Sequence, residues 1–163
     1  YGHIMNDHRP VRWLDWFGPL FRENYDDAKS HLSADARRII ETRLLDRLDV
    51  WLPEHDAPTL VHGDIWATNL IVDDDPHAPT ITAFIDGGGL FADVEYELAY
   101  LRVFRTADGT FFERYAHRHP LRDGFDRRCR VYWLNTMLLH LWLFGTEYRP
   151  ACERLAGEIE QLA

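Results

Sequence analysis

Two carboxylates and one amide have the types and the spacing that phosphoryl transfer requires. Asp64 follows a short apolar run, Asn69 comes five positions later, and Asp86 ends a second apolar run 17 positions beyond Asn69. In this chemistry one carboxylate accepts or orients the proton of the attacking hydroxyl, while an amide oxygen and a second carboxylate hold Mg²⁺ against nucleotide phosphates. A loop acid that only caps the backbone is the alternative for Asp64 taken alone. The three residues together predict Asp64 as the catalytic base, and Asn69 and Asp86 as Mg²⁺ ligands.

The histidines do not have the spacing of a zinc site, which usually shows paired ligands on one helix turn or cysteine partners. His62 directly precedes Gly63 and Asp64, so we expect it to be a structural residue that hydrogen-bonds the loop backbone. His140 lies within an apolar helical stretch. It is either a core histidine whose ring is hydrogen-bonded within the protein or a residue that contacts the substrate. A glycine run begins at Gly87, and it favours a tight backbone turn beside Asp86 over a phosphate-binding loop, because no Lys-Ser/Thr follows.

The composition limits the class of protein and the partners that the chain can have. The chain has 163 residues, 46% of them hydrophobic, which suits one globular domain, and the net charge of −9 argues against nucleic acid as a main partner. Cys129 and Cys152 are the only cysteines, so we expect a reducing, cytoplasmic environment without a disulfide framework. The most apolar segment, residues 131–144, is too short and too polar to cross a bilayer, and no signal-peptide pattern is present.

The elements that must position these residues are mainly helical. The spacing of Trp13, Trp16 and Phe17 predicts a short amphipathic helix, and Ser33 is the predicted cap of a second helix that continues to Pro53. Strands are predicted at residues 60–61, 70–72 and 80–85, with the loop 62–69 between the first two. Further helices are predicted from a cap at Asp93, at about 110–117, 124–144 and 148–162. The sequence thus predicts an α+β, mainly helical chain with a short β hairpin-like insertion that carries the catalytic loop.

Residues 62–69, His-Gly-Asp-Ile-Trp-Ala-Thr-Asn, resemble the HGDLWxxN signature of the fructosamine kinase (ketosamine kinase) family. This family lies within the aminoglycoside phosphotransferase and choline kinase group of protein-kinase-like folds. Residues 84–86 are similar to the family's Ile-Asp-Pro, residues 93–99 to its E-x-D-L-A helix start, and residues 140–145 to its His-Leu-x-Leu-Phe-Gly helix end. The chain departs from the pattern where Gly87 replaces the usual Pro and Glu97 the usual Asp. These departures leave all three predicted chemical residues in place.

The resemblance implies a kinase that uses ATP and Mg²⁺ to phosphorylate a small-molecule hydroxyl on a ketosamine sugar, with Asp64, Asn69 and Asp86 in the roles given above. It also implies that Trp66 lines the acceptor pocket, although a packing role for this ring is equally open. Aminoglycoside, choline or homoserine-like acceptors remain alternatives, as does a pseudokinase or interaction module that keeps the loop without the activity.

The resemblance also implies a nucleotide-clamping lobe with a glycine-rich strand pair and a phosphate-binding Lys. Lys29 is the only lysine of the chain and has no β context. We therefore expect residues 1–163 to be the C-terminal lobe of a protein-kinase-like fold, with the N-terminal lobe absent and with little or no activity alone. Apolar surface that such a lobe leaves uncovered predicts self-association.

Overall fold

The computed structural model describes residues 12–53 and 58–163 and divides the chain into two compact units. Residues 58–122 form the mixed unit, and residues 12–53 with 123–163 form the helical unit. The helices are α1 (Trp13–Ala28), α2 (Ala34–Ile40), α3 (Leu48–Trp51), α4 (Val94–Val103), α5 (Gly109–Arg118), α6 (Phe125–Phe144) and α7 (Arg149–Leu162). The strands are β1 (Thr59–Val61), β2 (Leu70–Val72), β3 (Ile81–Phe84) and β4 (Leu90–Ala92). The chain is thus mainly helical with small antiparallel sheets, as predicted.

In the helical unit, α6 packs against α1 and α7, and α2 packs against α7. Residues four apart on α1, among them Phe17, Phe21 and Tyr25, form one buried face, which is the pattern of an amphipathic helix. The buried Asn24 amide donates a hydrogen bond to Asn135 of α6 at 3.0 Å, so the polar pair is satisfied inside the interface. This burial accounts for a helix that continues through Gly18 and Pro19 and is longer than the sequence predicts.

The predicted helix from Ser33 to Pro53 is correct at its start and wrong in its continuity. Ser33 Oγ accepts a hydrogen bond from the Ala36 N–H, so the cap is confirmed. A π-helical turn at Glu41–Leu45 then interrupts the regular helix before α3 begins. The indole N–H of Trp51 donates to the Arg43 carbonyl at 2.8 Å, which satisfies one of the carbonyls at the interruption.

In the mixed unit, β1 pairs antiparallel with β4, and β2 pairs antiparallel with β3. The register places Val61 opposite Leu90 and Leu70 opposite Phe84, so the loop 62–69 and the segment 85–89 both follow from the paired strands. Asp93 caps α4 by accepting a hydrogen bond from the Glu95 N–H, as predicted. Strand β4 is the one strand among the described residues that the sequence did not predict.

No helix within the described ranges is long and apolar enough to span a membrane. Cys129 and Cys152 are both buried free thiols.

Candidate active site in the mixed unit

The Asp64 carboxylate is held by one hydrogen bond on each oxygen. The Tyr100 hydroxyl of α4 donates to Oδ1 at 2.5 Å, and Asn69 Nδ2 donates to Oδ2 at 3.0 Å. An ionised carboxylate offers about four lone-pair sites. The two bonds fix its orientation, and the remaining lone pairs can accept a hydrogen bond from another donor. Asp64 is half-buried in a loop between two strands, where a positioned carboxylate can accept the proton of an incoming hydroxyl.

Asn69 is 5% exposed and turns its amide nitrogen toward Asp64. Nδ2 donates both to the Asp64 carboxylate and to the Asp64 carbonyl at 2.9 Å. Two acceptors at one atom assign that atom as the nitrogen, so Oδ1 points the other way. Within the described ranges no donor is hydrogen-bonded to Oδ1. An amide oxygen that accepts no hydrogen bond from the protein is a suitable ligand for a hard cation.

Asp86 lies one residue beyond the strand pairing that holds Asn69. The Ile85 N–H donates to the Asn69 carbonyl at 3.0 Å, which brings the two backbones together. Asp86 is exposed and has a positive φ of 56°, a conformation that non-glycine residues rarely adopt. Its carboxylate has no hydrogen bond or ion pair with any residue that the structure describes.

The donor set fits Mg²⁺, which binds hard oxygens and takes few of them from protein when phosphates and water supply the rest. The described part of the chain contains no group of three or more His, Cys, Asp or Glu side chains that could hold a metal ion by themselves. Asn69 Oδ1 and the Asp86 carboxylate would therefore hold Mg²⁺ together with a bound nucleotide.

His62 ties the loop to the segment after β3. Its Nε2 donates to the Ile85 carbonyl at 3.1 Å, and its Nδ1 accepts from the Asp64 N–H at 3.3 Å. A carbonyl only accepts and an amide N–H only donates, so this geometry assigns Nε2 as the donor and Nδ1 as the acceptor. The His62 carbonyl also accepts from the Gly88 and Gly89 N–H groups at 2.8 and 3.3 Å.

Gly87 leaves room for the His62 ring. A Cβ at position 87 would lie 2.9 Å from His62 Cδ2, which is closer than real contacts allow. Gly63 has a φ of 86°, the left-handed conformation that glycine adopts without strain, and a Cβ there would lie 3.4 Å from Leu90. Gly87 therefore makes room for the His62 ring, and Gly63 lets the backbone turn in the loop 62–69.

We expect Gly87→Ala to lower the free energy of unfolding by about 1–3 kcal/mol, because the new methyl displaces the His62 ring from Ile85. Urea denaturation of the two proteins measures this change. Gly157→Ala in α7 is the matched control, since its Cβ meets nothing within 4 Å and alanine favours a helix. Equal effects at the two positions would contradict the steric argument.

Glu97 of α4 holds the loop 62–69 through a hydrogen bond to its backbone. The Gly63 N–H donates to Glu97 Oε2 at 2.9 Å, and the side chain is buried. Burial raises the pKa of the Glu97 carboxyl, and the hydrogen bond from the Gly63 N–H offsets this rise only in part. Glu97 and Tyr100 are three apart on α4, so one helix face contacts both Gly63 and Asp64.

The raised pKa predicts a pH dependence of stability. The folded state disfavours the ionised carboxyl, so the contribution of Glu97 is fully present below its ordinary value of 4.5 and is lost as the pH rises through the folded value. We expect the unfolding free energy of the wild type to fall relative to that of Glu97→Gln as the pH rises from 4.5 towards neutral pH. Denaturation curves of both proteins across this range test it, and parallel curves would refute it.

The structure describes the two predicted substrate residues in different units. Trp66 is 40% exposed at the start of the turn that contains Asn69, and its ring is accessible at the loop. His140 belongs to α6 in the helical unit, where its Nδ1–H donates to the Thr136 carbonyl at 2.8 Å. Its ring packs against Phe144 and Tyr148, with centroids 5.2 and 5.1 Å away. Both assignments to the substrate stay predictions.

Sequence reasoning did not identify Tyr100, although it noted Glu97 as a departure. The signal was available in the helix that follows the Asp93 cap. Glu97 and Tyr100 are polar groups three positions apart in this helix, so they share one face. Such a pair on a helix that packs on a loop is suited to bonding that loop.

Comparison with known proteins shows a consistent resemblance. The family model for fructosamine kinases matches residues 20–161. A Lactiplantibacillus plantarum protein that bears the name ketoamine kinase is 32% identical over 126 residues, which cover 77% of this chain and 44% of that protein. The mouse ketosamine-3-kinase is 35% identical over 93 residues, which cover 57% of this chain and 28% of that protein.

A solved structure shows that the similarity extends to the fold. The crystal structure of a Thermobifida fusca protein that bears the name fructosamine-3-kinase superposes with a TM-score of 0.73 and 25% sequence identity. The match covers 96% of this chain and 54% of that one. The chain thus spans about half the length of the proteins it resembles.

Proposed function

We propose, since the chain belongs to the fructosamine kinase family, that it supplies the catalytic loop of a kinase that transfers the γ-phosphoryl group of ATP to a hydroxyl of a ketosamine. Asp64 is the base, and Asn69 and Asp86 are the Mg²⁺ ligands. In this proposal residues 1–163 are the C-terminal lobe of a protein-kinase-like fold, and β2 and β3 are the insertion beside the catalytic loop.

The fixed Asp64 carboxylate is the observation that supports this function best. The acceptor oxygen forms a bond to the γ-phosphorus, the bond from that phosphorus to the bridging oxygen breaks, and ADP leaves with the electron pair. The acceptor proton passes to Asp64, whose orientation Tyr100 and Asn69 hold. Bound Mg²⁺ would neutralise phosphate charge, and Asn69 and Asp86 present the oxygens that would hold it.

The proposed acceptor is a small ketosamine sugar. Trp66 offers an exposed ring at the loop, and aromatic faces suit the apolar face of a sugar. Two of the similar proteins bear the names ketoamine kinase and ketosamine-3-kinase. Other small hydroxyl acceptors, such as aminoglycosides or choline, are the competing possibility, and profiling a panel of acceptors under the same conditions separates them.

The length of the chain bears on whether it acts alone. It spans about half of its relatives, so we propose that the nucleotide-clamping half lies outside these residues. The β2–β3 pair exposes apolar side chains on both faces, including Phe84 at 56%. An apolar surface of this kind favours self-association when nothing covers it. A monomer by light scattering at high concentration would count against that part of the proposal.

The test measures ATP-dependent phosphorylation of a ketosamine by the chain alone and by the chain joined to an upstream nucleotide-clamping lobe. We expect little turnover from the first protein and robust turnover from the second. Robust turnover by the chain alone would overturn the proposed division of the site. Failure of the joined enzyme to phosphorylate any hydroxyl acceptor, although it binds Mg²⁺ and ATP, would overturn the function itself.

A further inference from the structure

An open groove of about 560 Å³ lies along α5, separate from the residues assigned to catalysis and metal binding. Phe111, Tyr115 and His119 line it. Phe111 and Tyr115 are four positions apart on one face of α5, and His119 is the residue after the end of the helix. The ring centroids of neighbours lie 6.0 and 5.3 Å apart. Three flat rings therefore form one wall of this open groove.

Arg114 and Arg118 line the same groove and are exposed. Two like charges four positions apart destabilise a helix, and no acidic side chain in the described part of the chain forms an ion pair with either one. The helix dipole favours Arg118, which lies in the last turn of α5, but it does not act on Arg114 in the middle. The pair is therefore not explained by the stability of α5.

Helix α7 of the same chain provides a comparison, because it also has exposed arginines. In α7, Arg149 and Arg154 each form an ion pair with a glutamate four residues later, at 2.8 and 2.5 Å. The chain has 27 acidic and 18 basic residues, so its acidic residues outnumber the basic ones that could form such pairs. On α5 the second arginine occupies the position that a glutamate occupies on α7.

The acidic side chains near the groove have other hydrogen-bond or ion-pair partners. Asp108 lies at its end, where its carboxylate accepts the Phe111 N–H at 2.9 Å and caps α5. Burial, followed by the charges of Asp93 and Glu95, raises the pKa of the Tyr115 hydroxyl, but both of these carboxylates are ion-paired with Arg122. The groove therefore presents two guanidinium groups against one capping carboxylate.

We propose that the α5 groove binds a small phosphorylated ligand, whose phosphoryl group lies on Arg114 and Arg118 and whose sugar or base ring lies on Tyr115. Guanidinium forks match phosphate geometry with two parallel hydrogen bonds, and aromatic faces accept a flat or apolar ring face. A sugar phosphate and a nucleotide share this chemistry. The site goes beyond the proposed kinase function, because none of Asp64, Asn69 and Asp86 lines the groove.

Calorimetric titration of the chain with fructose 6-phosphate, with ADP and with inorganic phosphate, all without divalent metal, tests the site. We expect one of the two organic ligands to bind more tightly than inorganic phosphate. Arg114→Ala/Arg118→Ala should weaken that binding at least about tenfold. Tyr115→Leu should weaken the organic ligand but not inorganic phosphate. The organic ligand whose binding depends on the two arginines identifies the source.

The double variant Arg149→Ala/Arg154→Ala removes the same charge from α7 and should bind as the wild type does. Arg114→Lys/Arg118→Lys keeps the charge without the fork and should bind with intermediate affinity, which guards against a variant that fails to fold. Equal losses in the α5 and α7 variants, or no binding of any of the three ligands below about 10 mM, would overturn the site. Because the ligands are titrated without metal or acceptor, this result does not depend on whether the kinase function holds.

Discussion

Asp64→Asn should lower the rate of phosphoryl transfer about 10²- to 10⁴-fold in the enzyme that contains the nucleotide-clamping half. The change removes the proton acceptor and keeps the shape of the side chain. One oxygen remains to accept from Asn69, and the new amide nitrogen can donate to the Tyr100 hydroxyl, which rotates to accept. The folded structure should therefore persist while the chemistry is lost.

Steady-state kinetics with saturating ATP and ketosamine measure this effect, and thermal unfolding verifies the fold. Asp74→Asn is the matched control, because it makes the same substitution at an exposed turn of the mixed unit. We expect the control to keep wild-type turnover. If the Asp64 variant kept more than about a tenth of the wild-type rate, the assignment of the base would be wrong.

Asn69→Asp should destabilise the mixed unit by about 2–5 kcal/mol. The amide nitrogen of Asn69 donates to both the Asp64 carbonyl and the Asp64 carboxylate, and the side chain is almost fully buried. An aspartate removes both donors and places a second carboxylate about 3.0 Å from the first. Equilibrium urea denaturation measures the loss.

Asn69→Ala is the comparison that separates the two causes. It removes the same donors without adding a charge, so we expect it to cost less, about 1–3 kcal/mol. Added Mg²⁺ should restore more stability to the aspartate variant than to the alanine variant, because a cation bridges two carboxylates and binds only the folded site. An aspartate variant as stable as the wild type would contradict the hydrogen bonding of Asn69 to Asp64.

The loop 62–69 could be placed between two strands from the sequence because its signals are local. Asp64 and Asn69 stand in a short segment between two apolar runs, and the caps at Ser33 and Asp93 precede helices in the usual way. Each of these signals depends on neighbours within a few residues. Their physical causes, backbone hydrogen bonds and helix periodicity, act over the same short range.

The features that were missed depend on partners far along the chain. Strand β4 has three residues after a glycine run, and it is a strand because β1, some 30 residues earlier, pairs with it. The bond from Tyr100 to Asp64 joins residues 36 positions apart. Helix α1 continues past Pro19 because α6 covers its aromatic face. For β4 and α1 tertiary packing overrides local propensity, and the helical position of Tyr100 does not by itself show that Asp64 is its partner.

The backbone of Asp86 sets stability against function at a single position. Its positive φ of 56° is a conformation that costs a residue with a Cβ about 1–2 kcal/mol and costs glycine nothing. Asp86→Gly should therefore yield a more stable protein without the carboxylate proposed to hold Mg²⁺. A screen of random variants for heat resistance alone would enrich glycine at this position, whereas a screen for phosphorylated product would eliminate it. An aspartate in a strained backbone thus indicates that selection at this position has acted on the formation of product and not on stability.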